Sequence, residues 1–167
     1  MTKEPVKIVL DIVLRYLGFS DQQGWIFNQQ KVIPNTPGPF VIVHYLGSKP
    51  YATTAAIGVD EDDNTIETIS TQNQDLISIE IISQDNTARG LYPKISAALK
   101  GNYSLQQQEK YNFRIAENPT NIRNISSLDG GSMLTRIVID TYLLSWAQYT
   151  TIIEYFDQFS DTVISNP

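Results

Sequence analysis

Apolar residues recur along this chain with two different periods, and these periods predict its helices and strands. Residues 5–17 carry apolar side chains at three- and four-residue spacing, so they predict a helix. Pro5 suits its first turn and Gly18 suits its end. The same spacing predicts a second helix over residues 88–99, and the polar residues 104–111 are compatible with a short third helix.

The middle of the chain predicts strands separated by one long loop. Residues 40–45 form a β-branched and aromatic run bounded by Pro and Gly, which is typical of a strand. Residues 47–64 contain several Gly and Pro residues and predict a loop or hairpin tip. Two strands are expected next, one containing Ile66 and Ile69 and the other covering residues 76–82.

The remaining sequence predicts further short strands and one longer strand. The expected segments are two extended pieces within 25–39, strands at 113–115, 122–125 and 134–146, a turn at 129–132, and a last strand or docked segment at 150–159. Together these elements predict a single α+β domain over residues 1–167. We expect a mixed, mostly antiparallel sheet with helices packed on one face.

The charge and the cysteine count narrow the classes of function. The chain carries 18 acidic and 12 basic residues, a net charge of -6. Because DNA-groove binding needs a cationic surface, sequence-specific DNA recognition is disfavoured, although an acidic protein can enclose DNA without gripping it. The chain has no cysteine, which excludes disulfides and thiolate chemistry. The N-terminal pattern lacks the apolar stretch of a signal peptide, and no run reaches the ~20 apolar residues of a membrane span, so we expect a cytoplasmic product without a membrane partner.

The sequence contains no pattern that predicts catalysis or metal binding. His44 is the single histidine, and a Ser-His-Asp triad would have to use it. It lies within an apolar strand, where a packed imidazole is the commoner reading. The acidic run that begins at Asp60 does not fit a calcium loop, because the sixth and twelfth positions hold Thr65 and Thr71. We therefore predict no catalytic residue, no metal and no cofactor.

Two groups of charged residues are candidates for contacts with other molecules. The acidic run Asp60, Glu61, Asp62 and Asp63 is either a solvated loop tip or a loop that projects into a channel or toward a connector. Arg136 and Asp140 lie four residues apart on one strand and so share a face. They are either ordinary polar decoration or part of a subunit interface.

Residues 75–159 contain an ordered series of segments with a family resemblance. The series is a strand at 77–83, a helix opening Ala88-Arg89, the polar segment 104–109, a strand near Ile115, the stretch from Asn121 to Gly131, and a strand at 134–140. In this order the chain resembles the neck and tail-terminator proteins of contractile-tailed bacteriophages. That family shows a similar asparagine-serine-leucine-acidic stretch before an arginine-bearing strand. The N-terminal half matches the family in layout: a helix, a Pro-rich turn, a strand and a variable hairpin.

The resemblance implies a tail-terminator-like domain and a structural role. It implies a homohexameric ring in the virion, built by head-to-tail contacts and assembled in the host cytoplasm. Such a ring would end the tail and join it to the neck, with tail tube, sheath and head-connector proteins as partners and DNA passing through its lumen. Two alternatives remain open: a head-completion or stopper protein of the neck, and a small ligand-binding or enzymatic α+β domain that uses His44.

Overall fold

The computed structural model describes residues 4–27, 38–117, 119–129 and 132–153. Its helices are α1 (Pro5–Leu17), α2 (Thr87–Lys100) and α3 (Asn102–Lys110), and one 3-10 turn covers Asp21–Gln23. Its strands are β1 (Gly24–Ile26), β2 (Phe40–Val59), β3 (Thr65–Ser83), β4 (Phe113–Ile115), β5 (Asn121–Asn124), β6 (Ser127–Asp129) and β7 (Ser132–Ile152).

Three long strands form the centre of a mixed sheet. β3 pairs antiparallel with β2 on one side and with β7 on the other. The short β1 adds to β2 in parallel, and the short strands β4, β5 and β6 all pair antiparallel with the far edge of β7. The predicted α+β class with a mixed, mostly antiparallel sheet is therefore confirmed.

The helices pack on one face of this sheet, as predicted. Alternate residues of the central strands are fully buried beneath α1 and α2, and they are Val41, Val43, Ile77, Ile79, Ile81, Ile137, Ile139 and Leu143. The even-numbered neighbours on β3 and β7 point to the opposite face, as the two-residue period requires. Since each buried Ile or Leu contributes about 1.5–3 kcal/mol, this layer is the main source of stability.

A second, smaller apolar cluster lies on the opposite face of the sheet. Trp25, Phe40, Ile42 and Ile82 are all buried there. The ring centroids of Trp25 and Phe40 are 5.7 Å apart, within the range of favourable aromatic pairs. The same face also carries the charged residues described below.

Local sequence features end α1 and begin α2. Gly18 adopts a left-handed conformation with φ 70°, and its N–H and that of Phe19 donate to carbonyls of the last helical turn. Before α2, the carboxylate of Asp85 accepts a hydrogen bond from the N–H of Thr87, and the Ser83 hydroxyl accepts one from Ala88. Both predicted helices therefore lie within one residue of their expected bounds.

The predicted loop at residues 47–64 is wrong. β2 continues to Val59, and only residues 60–64 turn back into β3. Gly47 is accommodated with φ 153° at one register shift, and Pro50 lies at a second shift. Because β2 is an edge strand at that height, the missing N–H of Pro50 need not cost a ladder bond.

The central strands are also longer than predicted. The two strands expected around residues 66–69 and 76–82 form one continuous β3, and the strand expected at 134–146 runs from Ser132 to Ile152. Of the two pieces expected within 25–39, a short strand is present at Gly24–Ile26, and residues 28–37 lie outside the described residues. The Gly130-Gly131 turn and the part of the expected final segment beyond residue 153 also lie outside them.

Candidate functional site

The three central strands extend far beyond the layer covered by helices. We call this extension the sheet arm: residues 45–59 of β2, 65–76 of β3 and 144–152 of β7. No residue of the arm is buried, whereas Ile77 and Leu143, just below it, are fully buried. At about 3.4 Å per residue, the part of β3 in the arm spans roughly 40 Å.

The sheet arm has few charges and many exposed apolar side chains. Its only charged residues are Lys49, Glu67 and Asp75. Its exposed large apolar residues are Tyr45, Leu46, Tyr51, Ile57, Val59, Trp146, Tyr149 and Ile152. Contiguous exposed apolar patches are typical of interaction surfaces, which makes the arm a candidate for one.

The register assigns most of these side chains to one face or the other. On the helix side of the sheet, Tyr149 lies in register with Ile69 and Ala55, and Ile57 lies one rung further toward the tip. Ile57 and Tyr149 are 66% and 67% exposed. On the opposite side lie Trp146 and Ile152. Both faces of the arm tip can therefore make apolar contacts.

The acidic run forms the tip of the arm, in the turn between β2 and β3. Asp60 shapes this turn, because its carboxylate accepts hydrogen bonds from the N–H groups of Asp62 and Asn64 at 2.9 and 2.8 Å and from the Asn64 side chain at 3.1 Å. The hydrogen bonds from the Asn64 side chain and backbone lower the pKa of Asp60. Glu61, Asp62 and Asp63 are exposed, so the turn presents three solvated carboxylates and one structural one.

Arg136 and Asp140 lie on the sheet face opposite the helices, but they bond to different partners. The Arg136 guanidinium pairs with Glu80 of β3. Asp140 accepts a hydrogen bond of 2.9 Å from Arg123 of β5. The second carboxylate oxygen of Asp140, Oδ1, is buried and has no partner within the described part of the chain. Both predicted interface residues therefore already contribute to contacts within the subunit.

Glu80 is the centre of a buried polar cluster that sequence reasoning missed. It is 3% exposed and binds Arg136 on one side and His44 Nε2, at 3.0 Å, on the other. Burial raises the pKa of Glu80, but the hydrogen bonds and charges of His44 and Arg136 outweigh burial and hold its pKa below 4.5. The signal in the sequence was a carboxylate among the apolar residues of β3.

The Glu80 cluster ties together the three central strands at the base of the arm. His44 belongs to β2, Glu80 to β3 and Arg136 to β7, and the His44 ring also stacks on Phe27 with 4.6 Å between centroids. The described contacts of His44 include no hydroxyl that it could activate as a nucleophile. Across the described ranges no group of three or more His, Cys, Asp or Glu side chains is arranged to hold a metal ion.

A shallow depression on the helix side of the sheet is a weaker candidate for a functional site than the arm. It lies between α1 and α3 and is lined by Lys7, Asp11, Arg15, Phe19 and Tyr103 among others. The Arg15 guanidinium lies 4.1 Å from the centroid of the Tyr103 ring, a cation–π contact that occupies part of the depression. None of the helices among the described residues is long and apolar enough to cross a bilayer.

Comparison with known proteins gives no further guidance. No protein-family model matches the chain, and no curated protein matches it significantly.

Proposed function

We propose that this chain is a structural subunit of a tailed bacteriophage, and that copies of it form a ring that ends the tail and joins it to the neck. The observation that carries the proposal is the sheet arm. A three-stranded sheet that no described element covers, with few charges and large exposed apolar side chains, is costly for a free protein and useful for an assembling one. The resemblance of residues 75–159 to tail-terminator proteins supports the same conclusion.

The ring would be homohexameric and would contact tail tube and sheath proteins on one side and head-connector or neck proteins on the other. Head-to-tail contacts around a closed ring leave each subunit in an identical environment. DNA would pass through the lumen without sequence-specific binding, as the net charge of -6 favours. The mature protein would be located in the virion neck.

The proposal assigns no catalytic step to the chain. The His44 imidazole is hydrogen-bonded through Nε2 to the buried carboxylate of Glu80, and we assign it a role in holding β2 against β3. His44→Ala should therefore leave particle assembly and infectivity within a few-fold of wild type. Loss of infectivity from a variant that remains folded would instead support the enzymatic alternative.

The proposed function is tested by locating and counting the chain in particles. Electron microscopy of tailed particles should place six copies around the tail axis at the head-proximal end of the tail. Three or twelve copies would contradict the hexamer. A position in the head-side layer of the neck would support the alternative of a head-completion or stopper protein.

A matched pair of variants tests whether the arm carries the assembly. Tyr149→Lys places a charge on the arm, and Leu105→Lys places one at an exposed leucine of α3, which is 47% exposed. We expect Tyr149→Lys to weaken assembly by roughly tenfold or more, because charges are disfavoured in interface cores. The Leu105 variant should assemble normally. Equal effects of the two variants would show that the arm has no special role.

A further inference from the structure

We infer that copies of this chain join edge to edge into one continuous sheet. In this arrangement residues 146–152 on the outer edge of β7 pair in parallel with residues 53–59 on the outer edge of β2 in the next copy. The inference rests on the proposed function, because it names the partner of the arm and the mode of contact. The occupant of each edge is therefore a second copy of this chain.

Both edges of the arm are open among the described residues. On one side β1 pairs with β2 only at residues 41–43, so the outer edge of β2 beyond residue 43 has no described partner. On the other side β4 reaches only to Ser145 of β7. Open edges present unpaired N–H and C=O groups that template the addition of another strand.

Hydrogen bonds at the base of the β7 edge identify which backbone groups of β7 point outward. The N–H of Ala116 donates to the carbonyl of Tyr142, and that of Thr120 donates to the carbonyl of Asp140. The even-numbered residues of β7 therefore direct their backbone groups away from β3. In the open segment these residues are Trp146, Gln148, Thr150 and Ile152.

The same reasoning fixes the outward groups of β2. The N–H of Asp60 donates to the carbonyl of Asn64 across the turn, so the backbone of Asp60 faces β3. Because these groups alternate along a strand, the adjacent Val59 faces outward. In the open segment the outward residues of β2 are Thr53, Ala55, Ile57 and Val59.

The two edges match each other in direction and in register. β2 and β7 both run antiparallel to β3, so they run in the same direction. Ile57 and Thr151 are both in register with Glu67, which places the outward groups of Ile57 midway between those of Thr150 and Ile152. A parallel ladder requires this interleaving. If the next copy is related by rotation about an axis parallel to the arm, without translation along it, its β2 would therefore pair directly with β7 of the first copy.

Along the two edge strands, the charged residue and the register shifts lie near the base of the arm, so the half of the arm nearer the tip is the part that can pair with another copy. Residues 53–59 and 146–152 contain no charged residue. The lower half of β2 contains Lys49, Pro50 and both register shifts, which are features that protect sheet edges from pairing. Each copy thus offers one pairing segment on each side at the same height. Such a heterologous contact repeats from copy to copy and forms a ring when the rotation between copies closes.

Cysteine cross-linking tests this pairing, because the native chain contains no cysteine. The variants are Ile57→Cys and Thr151→Cys, which the pairing places at the same height and on the same face of neighbouring copies. Mixed at millimolar concentration and oxidised, the two variants should form covalent dimers, and the double variant should form a ladder of multimers. Neither variant should cross-link with itself.

An out-of-register mixture provides the control. Ala147→Cys lies four residues below Thr151, about 13 Å along the strand, which exceeds the reach of a disulfide. Mixed with Ile57→Cys, it should yield about a tenth or less of the dimer that the in-register mixture yields. Equal yields would overturn the inference, and so would efficient self-cross-linking of either single variant, which would indicate a two-fold contact between like edges. Absence of in-register dimers, including the case in which residues 154–167 of the same chain occupy the β7 edge, would also overturn it.

Proline variants give an independent readout with matched controls. Ala55→Pro and Gln148→Pro each remove an outward N–H that has no partner within the described subunit, whereas Ala55→Val and Gln148→Val keep it. The proline variants should lose association measured by light scattering, while the valine variants keep it. If the proline variants associate as the wild type does while folded, the ladder does not form.

The outcomes separate this inference from the proposed function. Six copies in the particle without in-register cross-links would overturn the edge pairing and leave the structural role standing. In-register cross-links from a chain that is absent from tailed particles would overturn the proposed function and leave the self-association standing.

Discussion

At the residue scale, the buried carboxylate of Glu80 is the most consequential polar group of the described chain. A buried charge is tolerated only when it is paired and hydrogen-bonded. Glu80 meets that requirement with one partner from each adjacent strand, His44 and Arg136. The three side chains therefore favour the observed register of β2, β3 and β7, because a one-residue slip would separate them.

Arg136→Ala should destabilise the isolated subunit. An interface role alone would leave the isolated fold nearly intact, but the loss of Arg136 leaves the carboxylate of Glu80 buried with His44 as its remaining described partner. We expect a loss of about 2–4 kcal/mol in the free energy of unfolding, measured by urea denaturation. Arg114→Ala is the control, because Arg114 is exposed on neighbouring β4 and should change stability by about 0.5 kcal/mol or less. Equal losses of unfolding free energy in the two variants would show that the Arg136–Glu80 pair contributes no more to stability than an exposed arginine does.

The lowered pKa of Glu80 predicts a pH dependence of stability. A carboxyl whose pKa is lower in the folded than in the unfolded state stabilises the fold above the unfolded value, and this contribution disappears as pH falls through the folded value. The wild type should therefore be more stable than Glu80→Gln at pH 7, and the difference should shrink as pH falls below 4.5. Urea midpoints of both proteins at pH 7 and near pH 3.5 measure this. A difference that grows at acid pH would contradict the assignment.

At the residue scale, the sequence correctly predicted which residues share a face of a strand, but it did not predict the side-chain contacts between strands. Strict alternation correctly placed Arg136 and Asp140 on one face of β7, because a strand has a fixed two-residue period. It could not pair Arg136 with Glu80, since they are 56 positions apart and belong to strands whose register depends on the whole sheet.

At the element scale, the helices were predictable and the full length of the strands was not. α1 and α2 each pack one apolar face on the core, so their period appears in the sequence. The sheet arm has no core face, and residues 70–75 of β3 are all polar. Alternation therefore disappears where the strand leaves the core, although the strand itself continues. Gly47 and Pro50 added turn signals within β2 that the sheet edge tolerates.

The acidic turn at the arm tip separates a structural carboxylate from three solvated ones. Replacing Glu61, Asp62 and Asp63 with Gln, Asn and Asn, while keeping Asp60, should leave the unfolding midpoint unchanged, because these side chains are exposed. If the tip faces DNA in the ring, the same variant should slow DNA ejection, since a negative wall repels the duplex within a Debye length of about 8 Å. Ejection kinetics of particles that carry the variant measure this. Unchanged kinetics would indicate a solvated tip away from the DNA path.

At the scale of the whole molecule, the protein combines a body stabilised by its own core with an arm stabilised chiefly by its strand ladder. The sequence predicted the class and the body, because both follow from apolar periodicity. It did not predict the arm, whose stability depends on long-range pairing and, in our proposal, on neighbouring copies. The resemblance to tail-terminator proteins predicted assembly, and the arm identifies where contacts between subunits are expected.

This division of the molecule predicts a specific pattern of amide hydrogen exchange. In the isolated subunit, amides of the covered body such as Ile79 should exchange slowly, because they open only with much of the fold. On the arm, Ile57 and Gln148 should exchange quickly, since their N–H groups point outward, whereas the inward N–H groups of Ala56 and Tyr149 should exchange more slowly.

Assembly should change only part of this pattern. When copies associate, exchange at Ile57 and Gln148 should slow by roughly tenfold or more, because their N–H groups enter a ladder between subunits. Exchange at Ile79 should stay the same, since the body gains no new strand. Mass spectrometry or NMR at low and high protein concentration measures both changes. Protection that appears on the helices α2 and α3 while the arm edges stay unprotected would place the subunit contact on the body, and the arm would then need a different explanation.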